Sequence, residues 1–374
     1  MAAPTRISIV SPLLHGGGAE YQLQLLIEAL RLRGHDEISF LAHQVNSAEA
    51  LSGVRIVRIG TGSREPRFGY SMHYFSLTDA LRRIAPHVIY QRVACGYTGI
   101  CAWYARRHGA RLIWHAAHET DVTPVSLDAG RNAVRRWLEK RSVEYGIRHA
   151  DRIVVQTGDQ ARLLERHYGR QADRVVPNFQ APPTETIDKS GPLIVAWIAN
   201  LKLWKQPEVF IRLAQALADL AGVRFVMVGE AATDWRNSRW TELLLREIRA
   251  TPNLDFTGRL TQSEVNLLLA RTAIFVNTSI HEGFPNTFIQ AWMRDAVVVS
   301  LTVNPDAVLT KQELGVCAGD ELTLQAAVRR LVLDAPLRES YAKRANRYAQ
   351  ERHSLVNAAD LVALIDRCVT EVSG

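Results

Sequence analysis

Short runs of β-branched and apolar residues recur through this chain, separated by segments whose apolar residues return at helical spacing. Residues 7–10, 37–42, 54–59, 88–92, 111–115 and 152–156 read as strands buried on both faces, and residues 19–32, 74–84, 95–107, 131–149 and 159–167 read as helices between them. Such alternation points to an α/β fold, a doubly wound parallel sheet covered by helices on both sides. The pattern pauses in a connection at residues 180–191, which holds Pro182 and Pro183, and then restarts. Strands are expected at 193–198, 224–228, 254–256, 272–277 and 296–301, with helices at 209–220, 323–333, 337–350 and 355–369. A chain of 374 residues is too long for one comfortable core. We therefore expect a first domain at residues 1–184, a second at 185–353 and a terminal helix at 354–374.

Open parallel sheets bind their ligands beyond the carboxyl ends of the strands, so the turns there carry the functional reading. The turn after residues 272–277 is Ser279-Ile280-His281-Glu282-Gly283-Phe284-Pro285-Asn286-Thr287-Phe288, and a helix follows it. Gly283 permits a sharp bend and Pro285 suits a first helical turn. The amides of Asn286, Thr287 and Phe288 would then face an anion, with a phosphate as the obvious occupant. Glu282 beside a phosphate suits an acceptor for sugar hydroxyls, or it merely caps the helix. After residues 193–198 comes Ala199-Asn200-Leu201-Lys202-Leu203-Trp204-Lys205-Gln206, where Lys205 can meet a diphosphate as a point charge. Lys202 is a second cation of the same loop, and both lysines also fit a plain solvated surface.

In the first half, His15-Gly16-Gly17-Gly18-Ala19-Glu20 joins a strand to a helix. Glycines there let a backbone approach a ligand closely. A dinucleotide fingerprint would want glycine where Tyr21 stands, and a hydrolase oxyanion loop would want a G-x-S-x-G elbow that is absent. A purely structural turn stays open. The loop His115-Ala116-Ala117-His118-Glu119-Thr120-Asp121 follows residues 111–115. Its spacing defines no metal geometry, so a single histidine acting as a hydrogen-bond partner is preferred, His118 ahead of His115.

Together these stretches resemble the retaining glycosyltransferases of family 4, which have the GT-B fold. Glu282-Gly283-Phe284-Pro285-Asn286 with Phe288 and Ala291 is similar to the family's E-x7-E region, and Gly17-Gly18-Ala19-Glu20 to its Gly-Gly-x-Glu loop. Lys205 falls on the lysine of its Gly-Arg-x4-Lys-Gly pattern, and Phe256-Thr257-Gly258-Arg259-Leu260 on the loop that reads the nucleotide base, with Arg259 able to stack on it. The chain departs from the pattern at Asn200, Gln206 and Gln290, where the family has Arg, Gly and Glu. The resemblance implies two Rossmann-like domains facing a cleft, with the terminal helix crossing back to the first. It implies donor contacts from Gly17, Gly18, Asn200, Lys202, Lys205, Gly258, Arg259, Leu260, Glu282, Gly283, Phe284, Pro285, Asn286, Thr287 and Gln290. Catalytic roles fall to His118, Glu282 and Lys205. The reaction implied is transfer, with retention, of a sugar from a nucleoside-diphosphate donor, UDP-linked, to a glycan or lipid-linked acceptor. A nucleotide-sugar 2-epimerase on the same fold, or a non-catalytic nucleotide or sugar binder, fits many of the same residues.

Charge narrows the partners. Residues 1–180 hold 24 Lys and Arg against 16 Asp and Glu, whereas residues 181–374 hold 21 against 22. The basic excess suits an anionic acceptor or peripheral contact with a membrane surface, notably through the amphipathic basic helix at 131–149. No zinc-finger spacing, aromatic RNA-binding motif or Arg-rich arm points to nucleic acid. Asp-x-Asp does not occur, so metal-independent transfer with no further cofactor is expected. The scattered cysteines Cys95, Cys101, Cys317 and Cys368, and the lack of a leader or a membrane-length apolar run, suggest a cytoplasmic protein at most peripheral to the inner membrane.

Overall fold

The computed structural model describes residues 5–14, 18–45, 51, 53–60, 69–124, 133–230 and 238–373. The chain divides into two units, Met1–Asn178 with Leu355–Gly374, and Phe179–Ser354. The connection at residues 180–191 runs with the second unit, where Glu185 is ion-paired to the buried Arg294.

In the first unit, β1 (Ile7–Val10), β2 (Leu13–Leu14), β3 (Ile38–Ala42), β4 (Gln44–Val45), β5 (Arg55–Arg58), β6 (Val88–Arg92), β7 (Arg111–His115), β8 (Arg152–Val155) and β9 (Arg174–Val175) alternate with helices. The helices are α1 (Gly18–Leu32), α2 (Tyr74–Ile84), α3 (Gly96–His108), α4 (Ala133–His149) and α5 (Gly158–Tyr168). The sheet order is β5-β3-β1-β6-β7-β8-β9, every neighbouring pair is parallel, and β2 with β4 forms a separate two-stranded ladder. The central strands β1 and β6 are buried throughout, as their unbroken apolar character requires. Helices α3 and α4 pack through glycine. A Cβ at Gly99 would stand 2.3 Å from the Ser142 carbonyl oxygen, and one at Gly146 would stand 2.5 Å from the Thr98 carbonyl carbon.

The second unit repeats the plan with β10 (Leu193–Ile198), β11 (Val223–Val228), β12 (Leu254–Gly258), β13 (Thr272–Asn277), β14 (Val297–Ser300) and β15 (Gly315–Cys317). Its helices are α6 (Pro207–Ala216), α7 (Ser238–Arg249), α8 (Gln262–Arg271), α9 (Asn286–Trp292), α10 (Val308–Lys311), α11 (Glu321–Leu333) and α12 (Ala335–Arg352). The order β12-β11-β10-β13-β14-β15 is again all parallel. The final helix, α13 (Val356–Ser373), belongs to the first unit. It buries Leu361, Val362, Leu364, Ile365 and Cys368 and packs on α1, β6 and β7.

Several readings change. The strand expected to be buried at 54–59 is the edge strand β5, with Arg55 and Arg58 exposed. The short strands β2, β4, β9 and β15 and helix α10 were not expected. Helices α7 and α8 are not placed by the sequence analysis, although α8 opens on a capping box: the Thr261 amide donates to Glu264 Oε2 at 2.7 Å and the Glu264 amide to Thr261 Oγ1 at 3.3 Å. Helix α6 starts earlier, at Pro207, and ends at Ala216 because the chain then turns. Finally, α4 does not separate apolar from basic residues: Val143, Gly146 and Ile147 are buried, but Val134 and Trp137 are exposed beside Arg136 and Arg141.

Candidate functional site

Strand order reverses between β10 and β13 in the second unit, and the loops that follow these two strands leave the sheet at that switch point. This is where a doubly wound sheet opens a crevice at its carboxyl edge. The loop after β10 delivers Lys205, the loop after β13 delivers Glu282, and the structure pairs them directly through Lys205 Nζ and Glu282 Oε1. Both side chains are largely buried. Desolvating two charges is costly, so such a pair is held only where further hydrogen bonds support it. Ser279 Oγ donates to the same Glu282 oxygen at 2.8 Å. The loops are also stitched together directly: Thr278 Oγ1 donates to the Lys205 carbonyl at 2.6 Å, and the Ile280 amide to the Trp204 carbonyl at 2.9 Å. The indole of Trp197 in β10 donates to Thr278 Oγ1 at 2.8 Å, anchoring the bridge to the sheet.

The turn after Lys205 is made by Gln206, whose φ is 46°. The position demands a left-handed conformation, which explains why the resembled pattern has glycine there. Gly283, by contrast, is not among the glycines with positive φ, so the conformational freedom expected of it is not used. The helix starts one residue later than expected, at Asn286, with Pro285 as its N-cap. The Phe288 amide donates to the Pro285 carbonyl at 3.1 Å and is therefore spent inside the turn, unlike the expectation for it. The Phe284 ring packs against Trp292 and His353, with its centroid 4.5 Å from the His353 ring, so only its backbone is directed elsewhere.

Around this pair the other residues take separate places. Lys202 lies with Nζ 4.7 Å above the ring centre of Trp204. Asn200 is exposed just past β10, beside Gly229, where a Cβ would stand 2.0 Å from the Ala199 carbonyl oxygen. Gly258 ends β12 with φ 74° and nothing within 4 Å of the Cβ it lacks. Arg259 reaches Glu230 at 3.1 Å in an exposed pair, and Leu260 packs against the core. Gln290 is buried in α9, and its Nε2 donates to Asn266 Oδ1 of α8 at 3.0 Å.

The first unit has its own reversal, between β1 and β6. Gly17 lies outside the described residues. Gly18 is the first residue of α1, and Glu20 is buried in its first turn. At the end of β6 stands Arg92, buried, with one nitrogen donating to Asn178 Oδ1 at 2.7 Å. Burial lowers its pKa, and the charges of Asp121 and Glu20 act the other way. Val93 follows with φ 73°, an outlier for a β-branched residue and a store of about 1–3 kcal/mol. Its conformation is held by the Gln91 side-chain amide, which donates to the carbonyls of Arg92 and Val93 at 2.9 and 2.6 Å.

After β7 the chain reaches His118, which caps a short 3-10 turn over Glu119–Val122. The Thr120 amide donates to His118 Nδ1 at 3.2 Å, and the Thr120 hydroxyl lies 2.9 Å from the same atom. An amide can only donate, so Nδ1 is the acceptor and the neutral ring carries its proton on Nε2. Asp121 completes the reciprocal cap. Its Oδ2 accepts from the amides of Ala117 at 2.7 Å and His118 at 3.1 Å. Burial raises the Asp121 pKa, against the pull of these amides. His115, the second choice, is buried in β7 against Tyr90 and Arg92, and burial pushes its pKa well down. Sequence reasoning passed over Arg92 and gave Asp121 no role. A charged residue closing the apolar run at 88–92 was the available signal for the first.

No helix among the described residues is long and apolar enough to cross a membrane. Residues 17–178 match the Glycosyl transferase 4-like domain, and residues 192–334 match Glycosyl transferases group 1. The lipopolysaccharide core biosynthesis glycosyltransferase LpsD of Rhizobium meliloti is 27% identical over 194 residues, covering 50% of this chain and 55% of the relative. The chain thus spans about half the length of the curated relative it matches. Sucrose-phosphate synthase of Thermosynechococcus elongatus superposes with a TM-score of 0.76 at 16% identity, over 98% of this chain and 100% of that one. HepE of Anabaena, solved in complex with UDP and glucose, gives 0.75 at 17% over 96% and 99%. WaaG, a glycosyltransferase involved in lipopolysaccharide biosynthesis, gives 0.74 at 12% over 96% and 99%. At these identities the likeness shows the fold, two Rossmann-like parallel-sheet units of the GT-B kind.

Proposed function

Because the chain pairs a glycosyl transferase 4-like domain with a glycosyl transferases group 1 domain, we propose that it transfers a sugar from a nucleoside-diphosphate donor to a glycan or lipid-linked acceptor. The observation that carries this reading is the Lys205–Glu282 pair at the switch point of the second unit. A carboxylate suited to sugar hydroxyls is tolerable beside a diphosphate only if a cation neutralises it, and Lys205 does so before any ligand arrives. On donor binding the ammonium serves the phosphates and Glu282 the sugar hydroxyls.

In this mechanism Lys205, with the amides at Asn286 and Thr287, stabilises the charge that develops on the leaving diphosphate. The donor contacts also include Gly17, Gly18, Asn200, Lys202, Gly258, Arg259, Leu260, Gly283, Phe284, Pro285 and Gln290. His118 donates a hydrogen bond from Nε2 near the reacting group, and the departing phosphate takes the acceptor's proton. Configuration is retained and no metal is needed. UDP is the favoured nucleotide, a choice supported by the complex of HepE with UDP and glucose. The lipopolysaccharide glycosyltransferases among the similar proteins support a lipid-linked glycan acceptor handled in the cytoplasm at the inner membrane surface. The basic surface of the first half suits an anionic acceptor of that kind.

Thermal stabilisation by a panel of nucleoside diphosphates and their sugars, with NAD and NADP beside them, tests the reading on the wild type and Glu282→Ala. A donor at ~100 times its dissociation constant adds ~2.7 kcal/mol. One nucleoside diphosphate and one of its sugars are expected to stabilise, with only the sugar's extra increment lost in Glu282→Ala. Stabilisation by NAD alone overturns the proposal.

A further inference from the structure

We propose that Asp121 is the positioning residue for His118, holding the imidazole as a fixed Nε2–H donor. The inference rests on the reading of His118 given above and extends it to a residue that reading leaves without a role.

Two backbone amides of the loop after β7, from Ala117 and His118, converge on one oxygen, Oδ2, of the buried Asp121 carboxylate. The same carboxylate closes the reciprocal cap in which His118 is the N-cap and Asp121 the third residue. That cap sets the Thr120 amide against Nδ1, and the direction of this bond decides which ring nitrogen carries the proton.

The geometry calls for an acceptor oxygen at this position. Asparagine has the same shape, and its one carbonyl oxygen can stand where Oδ2 stands and receive both amides, whereas an Asp121→Ala chain leaves both without an acceptor and loosens the cap.

Ring-nitrogen NMR of the full chain labelled with [15N]histidine tests this, at a pH above the ordinary histidine range, with His118→Ala identifying the His118 signals. The wild type and the conservative Asp121→Asn are expected to show an unprotonated Nδ1 and a protonated Nε2, and Asp121→Ala a mixture of the two tautomers. Should Asp121→Ala not fold, Asp121→Glu is read in the same spectra, since its longer arm moves the acceptor away from both amides. His118 signals that do not change between the wild type and the disrupting variant overturn the proposal, as does an Nδ1–H tautomer in the wild type. Activity gives an independent arm. Asp121→Ala should keep the wild-type affinity for UDP and lose turnover of UDP-glucose by about tenfold or more, the scale on which a small misplacement of a catalytic group is felt. The loss should not deepen in the His118→Ala background, and an equal further loss there overturns the coupling. If the wild type binds no nucleoside diphosphate, the glycosyltransferase reading fails while the histidine spectra still decide the role of Asp121.

Discussion

Gln206 shows how a single side chain can stand against local preference. A non-glycine residue in the left-handed region costs about 1–2 kcal/mol, and the turn that presents Lys205 imposes that conformation. Glycine would relieve the strain but would loosen the unfolded chain by about 0.4–1 kcal/mol. The difference predicts that Gln206→Gly gains about 0.5–1 kcal/mol, read as a rise of a few degrees in the melting temperature of the second unit. A loss of stability would mean that the glutamine side chain makes a contact worth more than the strain. At this scale the sequence was informative where one residue acts from a strand end. Lys205 and Glu282 could be singled out separately, because an apolar run fixes where a strand stops and hence which residues crown it. That they meet could not be read, since 77 positions separate them and the order of strands decides it. Arg92 and Asn178 are separated by 86 positions, and neither signals the other. The chain does bend at Gly283, but without a positive φ, which glycine permits and does not require.

Among the elements, strands buried on both faces were easy to recognise, whereas the short strands β2, β4, β9 and β15 were not. A strand buried on both faces needs an unbroken apolar run, and β1, β6, β7, β10 and β13 all have one. Helices α7 and α8 were missed although their signals are present: α7 brings Trp240, Leu244 and Ile248 to the core at helical spacing, and α8 opens on a capping box. The pairing of α3 with α4 rests on glycines whose meaning appears only in three dimensions. In an isolated helix alanine is favoured over glycine by about 1 kcal/mol. At Gly146 the added methyl would lie 2.5 Å from the carbonyl carbon of Thr98, a backbone atom that cannot swing aside. Overpacking of this kind costs about 1–3 kcal/mol and outweighs the propensity. Gly146→Ala should therefore lower the denaturant midpoint of the first unit. An unchanged or higher midpoint would show that the two helices separate without penalty.

For the molecule as a whole, the two-fold repetition of the α/β plan was legible because the alternation restarts after residues 180–191. Each unit then gains its ligand-facing edge from the same rule, a reversal of strand order, at β1 and β6 in one and at β10 and β13 in the other. The route of the final helix was not legible in its own apolar period, which says that a face is buried but not where. Helix α13 covers α1, β6 and β7, and without it Leu361, Ile365 and Cys368 leave open the part of the first core they fill. A chain ending at residue 354 should thus retain one protease-resistant fragment, the second unit, and expose the first to rapid cleavage. Survival of both fragments would show that α13 is dispensable.

The same helix sets a timetable for the chain on the ribosome. Strands β1 and β6 are made before the second unit, yet the helix that covers one side of them emerges only after the whole of it. Domains usually mature in the order in which they are synthesised. Here the order is inverted: the middle of the polypeptide can finish while its beginning stays unsealed, an apolar surface for chaperones to shield. A transcript cut short before residue 355 would therefore release a protein with a folded second unit and an unfinished first, which on the proposed function leaves the donor side formed and the acceptor side not.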